Sequence, residues 1–198
     1  MTGTTGSHLR ADAKINHDRV LDAARRAFAR DGADASLREI AKDAGVGIGT
    51  LYRRFPTRED LVWVVYRSEV DRLCGTVTDL LVQHPPAIAL YTWMQSFLDF
   101  LATKRAMADV LKVALARDED QRLEVRERVT TALATLLAAG AAQGSIRADI
   151  AAFDVVMALG GISLIAGEAD QRAQATRQLD LLMAALRPVP SGPPAGRR

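Results

Sequence analysis

The chain has 198 residues, with 26 Lys and Arg, 24 Asp and Glu and a formal net charge of +2. This near balance excludes the strongly basic composition of a non-specific nucleic-acid coat, so any DNA contact has to come from locally concentrated charge. The single cysteine, Cys74, excludes an internal disulfide and fits a reducing compartment, and we expect it to be a packing residue. Neither a secretory signal nor an apolar run of membrane-spanning length is evident, so we expect a cytoplasmic protein without membrane contact.

Both ends of the chain differ in composition from the rest. Residues 1–13 are rich in Thr, Gly and Asp, and residues 188–198 are rich in Pro, Gly and Arg. Because segments with so little apolar content cannot bury enough surface to order themselves, the sequence predicts two disordered tails.

Two helical patterns follow the N-terminal tail. Residues 16–32 carry an apolar stripe formed by Val20, Leu21, Ala24, Ala27 and Phe28. Ser36 and Glu39 stand three residues apart, a spacing that predicts a reciprocal cap and a second helix beginning near Leu37. Gly45 predicts the end of this second helix, because glycine adopts the left-handed backbone conformation without a steric penalty.

A third helical pattern, from Ile48 to Phe55, has two contrasting faces. Leu51 and Phe55 share one side at i and i+4. The outward side consists of Thr50, Tyr52, Arg53 and Arg54. A helix, a tight glycine turn and a second helix with such a face are typical of the helix-turn-helix, whose second helix enters the DNA major groove. The spacing alone also fits two short helices of an ordinary helical protein with a solvated outer face.

The residues of this region also match a known pattern in four runs, Ser36–Ala41, Ala44–Val46, Gly49–Phe55 and Thr57–Leu61. Together they resemble the TetR family of transcriptional regulators. The resemblance implies DNA contacts by Ser36, Arg38, Gly47, Ile48, Thr50, Tyr52, Arg53, Arg54, Thr57 and Arg58. Gly47 stands where the family often has a Ser or Thr cap, so a weaker cap is expected. Ile48 is apolar where many members are polar, which permits contact with a thymine methyl group.

The resemblance also implies a division of the chain. It places a helix-turn-helix DNA-binding domain at residues 14–56, with the motif itself at 36–55, and a helical ligand-binding and dimerisation domain at 57–187. No stretch with the period of a strand follows Phe55, so the fold class expected is all-α with about nine helices. Thr57 is expected to cap the fourth helix. The later helices are predicted at about 58–83, 87–103, 107–116, up to 143, 150–166 after an Asp149 cap, and 173–186.

The helix predicted at 150–166 is apolar on nearly every side and is interrupted by the pair Gly160 and Gly161. Since each glycine costs about 1 kcal/mol relative to alanine in a helix, something has to offset that cost. The resemblance implies that the last two helices form a four-helix bundle with a second subunit, which suits a palindromic DNA site. The interface residues expected are Phe153, Met157, Gly160, Gly161, Leu164, Leu179, Leu182, Met183 and Leu186. A core helix of a monomer with a flexible point is the alternative.

The middle of the chain is rich in aromatic residues and methionine. At helical spacing such residues first of all predict a core. Members of the family with this layout enclose a small-molecule pocket there, which the resemblance extends to Trp63, Tyr66, Trp93, Met94, Phe97, Leu101, Met107 and Leu111. A mostly apolar lining favours a neutral or weakly polar apolar ligand.

Enzyme chemistry is not predicted. His8, His17 and His84 do not have metal-ligand spacing, Cys74 has no recognisable base partner, and no glycine-rich phosphate loop is present. We therefore expect no metal and no cofactor. The function expected is a repressor that binds a palindromic double-stranded DNA operator as a homodimer and is released by a small apolar ligand. The alternative is a helical dimeric ligand-binding or adaptor protein that does not bind specific DNA, and the intact outward face of the third helix argues against it.

Overall fold

The computed structural model describes residues 5–116, 119–164 and 169–188, and in these residues every regular element is a helix. The α-helices are α1 Thr5–Asp31, α2 Leu37–Asp43, α3 Ile48–Arg54, α4 Arg58–Gln83, α5 Pro86–Ala106, α6 Ala108–Ala116, α7 Glu119–Ala142, α8 Ala152–Ser163 and α9 Ala169–Leu186. A short 3-10 turn over Gly32–Asp34 follows α1. The prediction of an all-α fold with about nine helices is confirmed.

The chain divides into two compact units. The described residues of Met1–Arg72 and Phe100–Val125 form the first unit, and those of Leu73–Asp99 and Arg126–Arg198 form the second. Consequently α4, α5 and α7 each contribute residues to both units. The boundary expected between residues 56 and 57 stays a prediction.

The first helix begins earlier than the sequence predicts. Its C-terminal half is fixed by packing, since Val20, Ala24 and Phe28 are all buried. Residues 5–13 extend the same helix, so the prediction of a disordered tail over residues 1–13 is wrong for this part. Once a packed helix exists, each added residue gains a hydrogen bond without a new nucleation cost, and this segment contains helix-favouring Leu, Arg and Ala. Residues 1–4 and 189–198 of the two predicted tails lie outside the described residues.

The turn between α2 and α3 has the geometry that its glycine predicts. Gly45 adopts φ +69°. Its N–H donates to the carbonyl of Lys42 at 3.0 Å, and the N–H of Val46 donates to the carbonyl of Ala41 at 2.9 Å. This pair of bonds satisfies two carbonyls at the end of α2, so the chain reverses sharply and α3 begins at once.

The starts of α2 and α4 are capped by hydroxyl side chains. At α2 the N–H of Glu39 donates to Ser36 Oγ at 3.4 Å. At α4 the cap is reciprocal, because the N–H of Asp60 donates to Thr57 Oγ1 at 3.1 Å and the N–H of Thr57 donates to Asp60 Oδ2 at 3.0 Å. The predicted cap of Thr57 is thus confirmed.

In the second unit α8 packs against α9. The helix α8 begins at Ala152 with Ala151 as its N-cap residue, so the predicted cap by Asp149 is wrong. The carboxylate of Asp149 instead accepts two hydrogen bonds from the Arg147 guanidinium, at 2.7 and 2.6 Å. The N-cap position falls on Ala151, two residues after Asp149, and makes no side-chain cap hydrogen bond.

Candidate DNA-binding surface and subunit interface

One side of α3 anchors the helix in the first unit. Leu51 and Phe55 are both buried, and the Phe55 ring stacks on His17 of α1 with ring centroids 6.0 Å apart. These contacts fix the rotation of α3, so the residues between them have to face outward.

The other side of α3 carries every residue that the sequence assigns to its DNA-binding face. Thr50, Tyr52, Arg53 and Arg54 are all exposed. The Nη2 group of Arg53 donates to Thr50 Oγ1 at 3.2 Å, which holds the guanidinium along the helix surface. A hydroxyl, a phenol and two cations are therefore presented together, the groups that bind phosphates and base edges.

The first turn of α3 is apolar and lacks a side-chain cap. Gly47 is the N-cap residue and makes no side-chain hydrogen bond to the helix, as its lack of a side chain requires. Ile48 is 37% exposed and Tyr52, one turn later, is 49% exposed. Large apolar groups exposed at this position are available to contact a ligand or DNA.

The flanking residues assigned to DNA contact have structural partners as well. Ser36 and Thr57 use a lone pair of the hydroxyl oxygen in their helix caps, which leaves the O–H available to donate to a phosphate. Arg38 is exposed. The Nη1 group of Arg58 donates to the carbonyl of Ala33 at 2.7 Å, so this arginine fastens α4 to the 3-10 turn and the sequence did not predict that role.

The residues expected to line a ligand pocket belong to both units. In the first unit, Tyr66 lies 5.7 Å from Trp63 and 5.7 Å from Phe100 between ring centroids, and Met107 and Leu111 are buried while Leu101 is half-buried. Burial raises the pKa of Tyr66 to about 12, so its phenol is neutral at ordinary pH.

In the second unit, Trp93, Met94 and Phe97 are buried. The Trp93 and Phe97 rings stack at 5.4 Å, and Trp93 Nε1 donates to the carbonyl of Leu73 at 3.1 Å. Two cavities of about 300 and 480 Å³ lie elsewhere, the first beside α3 and the second beside Tyr91 and Asp180. The ligand pocket therefore stays a prediction.

The residues expected at the subunit interface separate into two groups. On α8, Phe153, Met157 and Leu164 are exposed and form one face, with Met157 at 60% and Leu164 at 77%. Gly160 and Gly161 lie on or beside that face, and a Cβ at either would meet nothing within 4 Å in its own subunit.

On α9 the expectation needs correction. Leu179, Met183 and Leu186 are buried in the core of their own subunit, so they have little surface left for a partner, and Leu182 is half-buried. Leu181 was not among the interface residues expected, yet it is 64% exposed. Leu181 lies two residues from both Leu179 and Met183, which places it on a different side of the helix. This spacing could have been read from the sequence.

A buried inner face, a sharp glycine turn and a polar, cationic outer face together define a helix-turn-helix DNA-binding protein. Residues 20–63 match the family model described as bacterial regulatory proteins, tetR family, and residues 85–188 match the model described as transcriptional regulator SbtR-like, C-terminal domain. The chain belongs to the TetR family of transcriptional regulators.

Solved structures agree with this assignment over nearly the whole chain. A TetR transcriptional regulator from Streptomyces coelicolor is 48% identical with a TM-score of 0.80, over 87% of this chain and 98% of that chain. A TetR transcription regulatory protein from Mycobacterium vanbaalenii is 31% identical with a TM-score of 0.73, over 91% of this chain and 99% of that chain. Proteins of this family regulate transcription and are not enzymes, so that expectation is confirmed.

Curated relatives match a limited stretch of the chain. An HTH-type transcriptional regulator of Staphylococcus aureus (strain USA300) is 39% identical over 64 residues, which is 32% of this chain and 35% of that relative. This chain thus spans about a third of the length of the curated relatives it matches. Within the described residues, helices that combine the length and the apolar character needed to cross a bilayer do not occur.

Proposed function

We propose that this TetR-family protein is a cytoplasmic repressor that binds a palindromic operator as a homodimer and is released by a small apolar ligand. The observation that carries the proposal is the outward face of α3, where Thr50, Tyr52, Arg53 and Arg54 are all exposed above a buried anchor. A helix held in this way can enter the major groove with its polar face leading. The same four residues supply both phosphate contacts and base contacts.

The exposed apolar face of α8 supports a homodimer. Phe153, Met157 and Leu164 recur at helical spacing, and contiguous exposed apolar residues of this kind mark protein interaction sites in water-soluble domains. Two glycines on the same helix allow another backbone to approach closely. A two-fold pair would present two copies of α3 to the two halves of a palindrome.

The chemistry of the middle helices supports a neutral ligand. Trp93 and Met94 are buried, the indole N–H of Trp93 is already bonded, and the Tyr66 phenol is uncharged. In each unit such groups offer large apolar area and few hydrogen bonds, which would favour an apolar compound over an ion.

The experiment that tests DNA binding titrates a fluorescent duplex from the region upstream of the protein's own gene. We expect Tyr52→Ala and Arg53→Ala each to weaken specific binding by about 5- to 150-fold, since each removes a contact worth roughly 1–3 kcal/mol. Both side chains are exposed, so circular dichroism should report unchanged helical content.

Arg122→Ala is the matched control. Arg122 is also an exposed helical arginine, and its guanidinium pairs with Glu119 on α7 at 2.7 Å. Its loss should leave operator affinity unchanged. If Tyr52→Ala and Arg53→Ala also bind with the parental affinity, α3 is not the recognition helix and the proposal fails.

A further inference from the structure

The cavity beside α3 combines an apolar wall with a polar rim. It has a volume of about 300 Å³, close to the lower end of small-molecule sites. The inner wall is formed by Val20 of α1 and by Leu51 and Phe55 around α3, all of which are buried. The rim carries His17, Arg53 and Arg54. A compound bound there would need an apolar body and a polar end.

The imidazole of His17 lacks one hydrogen bond. Its Nδ1 atom is buried and has no partner among the described residues. Burial and the neighbouring Arg54 guanidinium lower the pKa of His17, while Asp18 opposes them more weakly, so the ring is neutral at pH 7. A buried nitrogen without a partner destabilises the site, and a ligand hydroxyl would satisfy it in either tautomer.

The two arginines give the rim a positive charge. Arg53 and Arg54 are exposed, and neither forms an ion pair with a carboxylate within the part of the chain that the structure describes. A guanidinium prefers a planar carboxylate, which it can bind through two parallel hydrogen bonds. The stacked rings of His17 and Phe55, with planes inclined by 22°, offer flat apolar surface beside that charge.

We propose that this cavity is a binding site for a small aromatic carboxylate that carries a ring hydroxyl. The aromatic ring lies against the Leu51 and Phe55 wall, the carboxylate meets the guanidinium of Arg54, and the hydroxyl bonds to His17 Nδ1. The site is separate from the pocket proposed among the middle helices, and it favours an anion where that pocket favours a neutral compound.

Occupancy would act on DNA binding directly. The carboxylate would engage Arg54 and lie beside Thr50, both of which we assign to DNA contact, so ligand and operator would exclude each other. This consequence rests on the proposed function, whereas binding of the carboxylate does not. A direct binding measurement without DNA therefore separates failure of this site from failure of DNA recognition.

The test uses the full chain and 4-hydroxybenzoate as the probe, titrated by calorimetry at pH 7. Two comparison compounds remove one group each: 4-hydroxybenzamide lacks the charge and benzoate lacks the hydroxyl. We expect saturable binding of one 4-hydroxybenzoate per chain, with both comparison compounds about tenfold weaker, as loss of one charged or buried hydrogen bond predicts.

Two variants locate the binding. His17→Phe keeps a ring on Phe55 but removes Nδ1, so it should weaken 4-hydroxybenzoate about tenfold and leave benzoate unchanged. Val46→Phe places a ring in the cavity from a half-buried position and should abolish binding of both compounds. Tyr91→Phe, in the second unit, is the control and should bind as the parent does.

Circular dichroism checks that each variant is folded, and either cavity variant suffices for the decision. The proposal is overturned if the parent shows no saturable binding, or if either variant, His17→Phe or Val46→Phe, is folded and binds 4-hydroxybenzoate as the parent does. It is also overturned if 4-hydroxybenzoate fails to bind while His17→Phe weakens operator binding, because the cavity would then accept a DNA phosphate.

Discussion

At the scale of single residues, the first turn of α3 is unusual for a surface that meets DNA. Ile48 is an exposed β-branched side chain that follows Gly47, a position with no capping hydroxyl. A helix with Gly at the N-cap position is less stable than one with Ser or Thr by roughly a few tenths of a kcal/mol. A DNA contact by Ile48 would offset part of that cost, since an apolar group is able to pack on a thymine methyl.

Ile48→Ala is therefore expected to weaken operator binding by roughly 5- to 30-fold, the range of a lost contact of about 1–2 kcal/mol. The sharper measurement replaces each thymine of the half-site in turn with uracil, which removes only the methyl group. At one position, the parent should bind the uracil duplex more weakly than the thymine duplex, whereas Ile48→Ala should bind the two duplexes equally.

The matched control for this cycle is Tyr52→Ala on the same set of duplexes. If every uracil substitution lowers affinity equally for the parent and for Ile48→Ala, the isoleucine does not contact a thymine methyl.

At the scale of elements, the sequence predicted those helices best whose ends are fixed by local chemistry. The bounds expected for α4 agree with Arg58–Gln83, because a Thr57 cap starts it and Pro85 and Pro86 follow its end. The sequence predicted the start of α8 less well. Asp149 was expected to cap this helix, but the N-cap position falls on Ala151 and the Asp149 carboxylate pairs with Arg147 instead.

The faces of helices were less predictable than their ends. The sequence makes α8 apolar on nearly every side, and the structure leaves Met157 and Leu164, two of the residues expected at the subunit interface, exposed in the single chain. The interface expected on α9 was too broad, since Leu179 belongs to the core of its own subunit. Which side of an apolar helix meets its own subunit depends on the neighbouring helices, and periodicity does not contain that information when apolar residues surround the helix.

The open space around the two glycines of α8 leads to a prediction about assembly. A Cβ at Gly160 or Gly161 would meet nothing in its own subunit, so leucine there should not unfold the monomer and should favour the helix by about 1 kcal/mol. Across a dimer interface, however, the leucine side chain would hold two helix backbones apart. We expect Gly161→Leu to convert a dimer into a folded monomer of 21.4 kDa, measured by light scattering.

Gly75→Leu provides the control. Gly75 lies within α4 and is exposed, and a Cβ at this position would likewise meet nothing within 4 Å. The same change there should therefore leave the dimer intact. A soluble dimer of parental stability that carries leucine at both Gly160 and Gly161 would exclude close packing of α8 across a two-fold axis.

At the scale of the whole molecule, control requires that ligand binding and DNA binding affect each other. A ligand releases DNA only to the extent that it binds the DNA-incompetent conformer more tightly. The aromatic residues of the middle helices are distributed over both units, and α4 contributes residues to each. A coupling of about 2–3 kcal/mol would weaken DNA binding about 30- to 150-fold.

We therefore predict that some apolar compounds raise the melting temperature and weaken operator binding within that range. A thermal-shift screen of apolar metabolites, followed by operator titration with each stabilising compound, measures both effects. Alanine at Trp93, Phe97 or Met107 should reduce the ligand response and leave DNA affinity in the absence of ligand unchanged, at a stability cost of about 2–5 kcal/mol.

These three residues are ordinary core if every stabilising compound leaves DNA affinity the same and every alanine variant only lowers the melting temperature. A milder variant, Trp93→Phe, keeps most of the ring and removes the Nε1 bond to Leu73, so it tests the ligand response where alanine unfolds the chain.

The 3-10 turn over Gly32–Asp34 has a consequence for exchanging modules between regulators. The Arg58 guanidinium holds the carbonyl of Ala33, and the carbonyl oxygen of Ala106 lies 3.1 Å from the place where a Cβ would stand on Gly32. A chimera that takes this chain only as far as Pro56 would lack both Arg58 and Ala106. A chimera that keeps this fold has to inherit residue 58 and the end of α5 along with the recognition helix, or recreate their contacts in its new host.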